Sequence, residues 1–186
     1  MSHEAMHLEQ TLVFHCAPSL SRLKPADLIS WRPPTGDGAA LLADYTRLLA
    51  RQGVCLRVLR RDGKRYLLLV YRPELLRSWL ARREVRTLLN RDGYPQALEE
   101  MLLHLTARLS QGAFPHEIGL FLGYPAADVE GFRIHQGKNC KLSGLWKVYD
   151  QVEEAAQKFR DFLHCREHLC SQMAAGKTLT QLLAAV

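Results

Sequence analysis

No window of the 186-residue chain approaches eighteen consecutive apolar residues, and the opening MSHEAMHLEQ lacks the basic start and apolar run of a secretory leader. A membrane-spanning helix is therefore not expected, and a cytoplasmic location is. Cysteine is sparse. Cys16, Cys55, Cys140, Cys165 and Cys170 are odd in number and irregularly spaced, which excludes a fully paired disulfide framework and leaves reduced thiols as the expectation. Internal repeats and low-complexity tracts are also lacking, so neither a solenoid nor a fibrous chain is indicated.

Two familiar chemistries are incomplete. AAGKT at 174–178 copies the end of a phosphate-binding loop, but Ser171 stands where its first glycine belongs, and the preceding segment is helical in pattern. HCREHLC at 164–170 puts His164 and His168 four apart on one helix face with Cys165 beside them, yet no third and fourth ligands follow. No metal and no cofactor is assigned on these grounds.

What is present is a core-forming composition. With 47% hydrophobic residues the chain can bury a core without staples, and residues 1–186 are expected to form a single domain. Its formal charge of +6 is uneven: residues 51–91 carry twelve Lys and Arg against three acids, and the remainder carries thirteen against sixteen. Charge runs of this kind are ordinarily solvated faces. As a binding surface, this one would suit an anionic small molecule or an acidic protein.

Apolar spacing predicts a helix over 4–15, broken at Ala17-Pro18, and another from about 39 to 52. Two β-rich runs flank Asp62-Gly63 and predict a hairpin at about 54–71, whose continuously apolar second strand, Leu67 to Tyr71, reads as central. One helix is expected from Pro73 to Asn90, and another begins near Pro95. LWKVY reads as a short strand, and Asp150 with Glu153 predicts the start of a long helix. The class is α+β, several helices around a small, mostly antiparallel sheet.

FPHEIGLFLGYP, at 114–125, carries the most suggestive chemistry. Pro115 suits a first helical position, so His116 and Glu117 are expected in the first turn, where exposed N–H groups stabilise a carboxylate and favour a neutral imidazole. A thiol-dependent enzyme would use Cys16 as nucleophile, His116 as base and Glu117 or Asp27 as orienter. A helix-turn-helix over 116–136 is a further reading, weakened by Asp128, Glu130 and Gly131 and left with Arg133 as its one strong cation. Nucleic acid is accordingly disfavoured. The Gly137-Lys138-Asn139 loop offers a tight turn with exposed donors. In the strand that follows, Trp146 and Val148 should share one face, Lys147 and Tyr149 the other.

FPHEIGLFLGYPAADVEGF and GKNCKLSGLWKVYDQVEEA resemble the shared core of a bacterial family, domain of unknown function 3793, and HCAPSLSRLKPADLISW and YLLLVYR resemble its other motifs. The resemblance implies one cytoplasmic bacterial domain and no particular activity or cofactor. It selects Cys16, Lys24, Pro25, Arg72, His116, Glu117, Tyr124, Lys138, Asn139, Trp146, Lys147 and Tyr149. Asp27, Cys140 and Leu145 depart from the expected amide, aromatic residue and tyrosine. The leading expectation is a binding or accessory protein. Its pocket would bring together Cys16 and Lys24, the His116-Glu117 helix start and the Lys138-Asn139 loop, with Arg72, Tyr124, Trp146, Lys147 and Tyr149 as further ligand contacts.

Overall fold

A computed structural model describes residues 2–111 and 114–185. Its elements run α1 (His3–Leu20), β1 (Ala26–Trp31), α2 (Ala39–Ala50), β2 (Cys55–Asp62), β3 (Arg65–Tyr71), α3 (Pro73–Leu80), α4 (Arg83–Arg91) and α5 (Leu98–Leu109), then α6 (Ile118–Phe121), α7 (Ala126–His135), β4 (Leu142–Ser143), β5 (Lys147–Val148), α8 (Val152–Ala174) and α9 (Leu179–Ala184). The fold is α+β, as expected from the sequence. Two compact units are distinguished: Met1–Leu75 with Phe162–Val186, and Leu76–Asp161. The chain passes between them within α3 and α8.

The first unit is built on the predicted hairpin. β3 lies between β1 and β2, antiparallel to both, so both its edges are hydrogen-bonded. Its apolar run follows from that position: Leu68, Leu69 and Val70 are all fully buried. Each such side chain contributes about 2 kcal/mol when removed from water. Asp62 pairs with Arg65, so the turn residues are Gly63 and Lys64, one position later than expected, and Gly63 takes φ 56°. A register shift between Val58 and Arg60 explains the imperfect alternation of β2, because it places both Leu56 and Leu59 inside although they are three apart.

Helix α1 departs from the predicted break. It continues through Pro18 to Leu20, with Cys16, Ala17 and Leu20 fully buried. Pro18 removes a single backbone donor, close to the helix end, and burial of that last turn outweighs the loss. Arg72, just after β3, reinforces the same place: its Nε donates to the Ser19 carbonyl at 3.0 Å, Nη2 to that of Leu20, and Nη1 to that of Gln52 at 3.2 Å. One guanidinium thus satisfies carbonyls at the ends of α1 and α2.

In the second unit the single helix expected from Pro73 to Asn90 is two. Leu76 and Leu80 are four apart, as are Val85 and Leu89, and all four are fully buried. Leu80 and Val85 are five apart, about 140° around a continuous helix, so an unbroken helix would face its two apolar pairs in different directions. Extension at Arg82 (φ −60°, ψ 138°) restarts the helix and realigns them. The Arg82 guanidinium lies over the Trp79 ring, 4.4 Å from its centroid, while the Trp79 indole donates to the Leu120 carbonyl at 2.8 Å.

Candidate ligand-binding site

The opening motif folds as a turn and then a single helical turn. His116 and Glu117 precede α6 rather than occupying its first turn, and Glu117 is its N-cap residue. Glu117 is 2% exposed. Its carboxylate pairs with the Arg108 guanidinium, accepts from the Tyr94 hydroxyl at 3.1 Å, and meets Arg133 Nη2 at 3.3 Å. Arg133 in turn binds Asp92. Burial pushes the Glu117 carboxyl up, but its own backbone N–H, Arg108 and Tyr94 more than offset this and hold it below the usual glutamate value. Glu117 therefore ties α5, α7 and the loop after α4 together, and its bonding capacity goes to these partners rather than to His116.

His116 points to different company. It is exposed, and its ring lies 5.1 Å from that of Phe132 on α7. Both line a cavity of about 360 Å³ together with Phe114, Ile118, Gly119, Tyr124, Asp128, Val129, Gly144, Leu145, Trp146 and Lys147. Tyr124 and Trp146 stack, with centroids 4.9 Å apart and planes 23° from parallel, and Phe159 meets the other ring system edge-on at 4.5 Å from Trp146.

Asp128 explains how Trp146 is held. It weakens the helix-turn-helix reading in the sequence, and in the fold it is 2% exposed. It accepts from the Trp146 indole at 2.7 Å, from the Tyr149 amide at 2.7 Å and from the Asp150 amide at 3.1 Å. One carboxylate on α7 thereby fixes the segment around β5. Gly131, on the same helix, lets the Tyr149 ring lie against the backbone, since a Cβ there would overlap it; Gly144 does the same for Phe159. These close approaches give the glycines a packing purpose.

Trp146 and Val148 are buried while Lys147 and Tyr149 are half-buried, as the expected alternation required. The strand itself is only Lys147–Val148, paired with Leu142–Ser143. Lys147 Nζ donates to the Ser143 hydroxyl at 2.8 Å. Lys138 and Asn139 are exposed and do not line the cavity. The Lys138 carbonyl accepts from the Tyr149 hydroxyl at 3.0 Å, and the Tyr149 ring stacks on His135.

The helix-turn-helix reading loses its donors. α6 has four residues, Arg133 is engaged by Asp92 and Glu117, and Glu130 pairs with Arg91. Phosphate contacts need exposed cations, and the cation this reading relied on is committed within the unit.

Cys16, Lys24 and Arg72 belong to the first unit. Cys16 lies within α1, fully buried, and not beside the helix break expected at Ala17-Pro18. Burial pushes its thiol well up, Asp27 adds to that, and Lys24 opposes it. Lys24 Nζ meets Asp27 Oδ1 at 2.8 Å, and Asp27 Oδ2 accepts the Ser19 amide at 3.2 Å. Such a thiol is poorly suited to nucleophilic attack.

Of the residues selected in the sequence, His116, Tyr124, Trp146 and Lys147 meet at one cavity. Phe114, Asp128, Phe132 and Leu145 also line it and are not among the selected residues, because spacing along the chain does not encode which side chains face a shared cavity. Among the described residues no helix is long and apolar enough to cross a membrane, and no group of three or more His, Cys, Asp or Glu could hold a metal ion. No curated protein and no solved structure gives a significant match. A family match does cover residues 12–183, which include most of both units, and the chain belongs to the family described as Protein of unknown function (DUF3793).

Proposed function

We propose that this chain is a binding or accessory protein that holds one small molecule in the aromatic-walled cavity of its second unit. The cavity itself carries the reading: its volume of about 360 Å³ falls in the range of small-molecule sites, roughly 300–1,000 Å³. Its walls combine aromatic and aliphatic side chains with few polar groups, as ligand sites do. Asp128 supports the reading further, since a buried carboxylate committed to the Trp146 indole keeps the wall in place before any ligand arrives.

The competing readings have less behind them. A thiol enzyme would need Cys16 ionised and reachable, against its burial. An acidic protein partner would use the arginine-rich segment, four of whose twelve bases, Arg61, Arg72, Arg86 and Arg91, are already engaged within the chain.

Nuclear magnetic resonance with a small library of aromatic compounds tests the reading. Binding compounds should shift the resonances of Tyr124, Phe132 and the Trp146 indole. Leu145→Trp, which adds bulk at a rim position that is 44% exposed, should weaken them all. If no compound moves these resonances, the cavity is a packing feature and the reading fails.

A further inference from the structure

The chemistry of the cavity wall restricts what it can hold, and this step rests on the binding role just described. Its walls carry four aromatic side chains besides His116: Phe114, Tyr124, Phe132 and Trp146. Tyr124 and Trp146 stack face to face, so each covers a face of the other and together they stand as one wall, while offset or edge-to-face contact with the lining rings is the favoured geometry for another ring. A cavity near the lower end of the small-molecule range has room for one or two rings.

The two charged side chains of the lining are not equivalent. Asp128 is almost fully enclosed, and its three donors, the Trp146 indole and the Tyr149 and Asp150 amides, occupy most of its accepting capacity. It serves the wall. Lys147 is half-buried, and its ammonium is hydrogen-bonded to the neutral hydroxyl of Ser143. An ammonium has three donors, so a ligand anion can be bound without giving up the hydroxyl. We infer that the cavity takes a planar aromatic carboxylate of one or two rings, its rings among the aromatic side chains of the lining and its carboxylate on Lys147.

Three probes of one shape separate charge from shape: naphthoate, the neutral naphthylmethanol, and the cationic naphthylmethyl trimethylammonium. Calorimetry gives their affinities, and the Trp146 indole resonance locates them. Naphthoate should bind about 10-fold more tightly than naphthylmethanol, the effect of one charge-assisted hydrogen bond. Lys147→Gln should remove that advantage and leave naphthylmethanol binding unchanged. Equal or tighter binding of the neutral or cationic probe, or naphthoate affinity untouched by Lys147→Gln, overturns the inference while the binding role stands. Failure of all three to move the Trp146 resonance overturns the inference, and together with a failed library screen it overturns both.

Discussion

The carboxylate of Asp128 accepts the indole N–H of Trp146 at 2.7 Å, and two backbone amides from the following segment converge on the same side chain. A position on α7 thus sets the orientation of a ring that a two-residue strand could not hold alone. Hydrogen bonds to a charged group contribute about 1.5–3 kcal/mol each, and buried donors left without a partner cost a further penalty.

Asp128→Ala should therefore destabilise the protein by about 3 kcal/mol or more, read from the midpoint of urea unfolding. Asp128→Asn keeps one oxygen for the two amides but turns an NH₂ group towards the Trp146 indole N–H, so its loss should be smaller. In both variants the fluorescence of the native protein should shift if the indole moves. Unchanged stability in Asp128→Ala would show that water replaces the carboxylate at no cost.

How much of this arrangement the sequence made legible depends on how local the signal was. The hairpin was readable because strand propensity and a turn glycine sit within eighteen residues, and the position of β3 followed from its unbroken apolar run. The division between α3 and α4 was hidden: both halves are helical in composition, and the phase error between Leu80 and Val85 is visible only once their burial is known. Motif resemblance singles out His116, Tyr124, Trp146 and Lys147. Phe114, Phe132 and Leu145 join them through tertiary placement, which no periodicity encodes. Glu117 was selected too, but a buried carboxylate among arginines looks in sequence the same as a catalytic one.

That distinction has a measurable consequence at low pH. The Glu117 carboxyl is held below its usual value, so the stabilisation it contributes is complete above the unfolded-state value, about 4.3, and is lost as pH falls through the folded one. Stability should decline below about pH 4. Glu117→Gln should lower stability at neutral pH by about 2–3 kcal/mol, towards the smaller side because Arg108 is 40% exposed, and should flatten the acid decline. Thermal unfolding between pH 3 and 7 checks both parts. An acid decline as steep in Glu117→Gln as in the natural protein would assign it to other carboxylates.

Arg72 provides a test in the first unit. Its three carbonyl acceptors come from the ends of two helices, and a guanidinium reaches all three through a planar fork. Lysine has enough donors but concentrates them on one atom. Arg72→Lys should cost about 2 kcal/mol in urea unfolding, and Arg72→Ala more, since it also removes packing from a residue that is 5% exposed. A neutral outcome for Arg72→Lys would mean that the carbonyls are satisfied without the fork.

Cys16 supplies the last test, and it bears on whether any thiol chemistry belongs to this chain. The side chain has no exposure, and its thiol is pushed well up by burial, with Asp27 acting in the same direction and Lys24 against it. Only the thiolate reacts, so two barriers combine: little ionisation and no access. In the native protein at neutral pH, iodoacetamide followed by mass mapping should find Cys16 unmodified while half-buried Cys140 and Cys170 react faster. Labelling of Cys16 should accelerate with added denaturant, because it then proceeds through opening of the fold. Asp27→Asn removes the charge that raises the thiol but leaves the enclosure, so its native labelling should stay slow. Fast native modification of Cys16 would contradict the burial from which each step of this prediction begins.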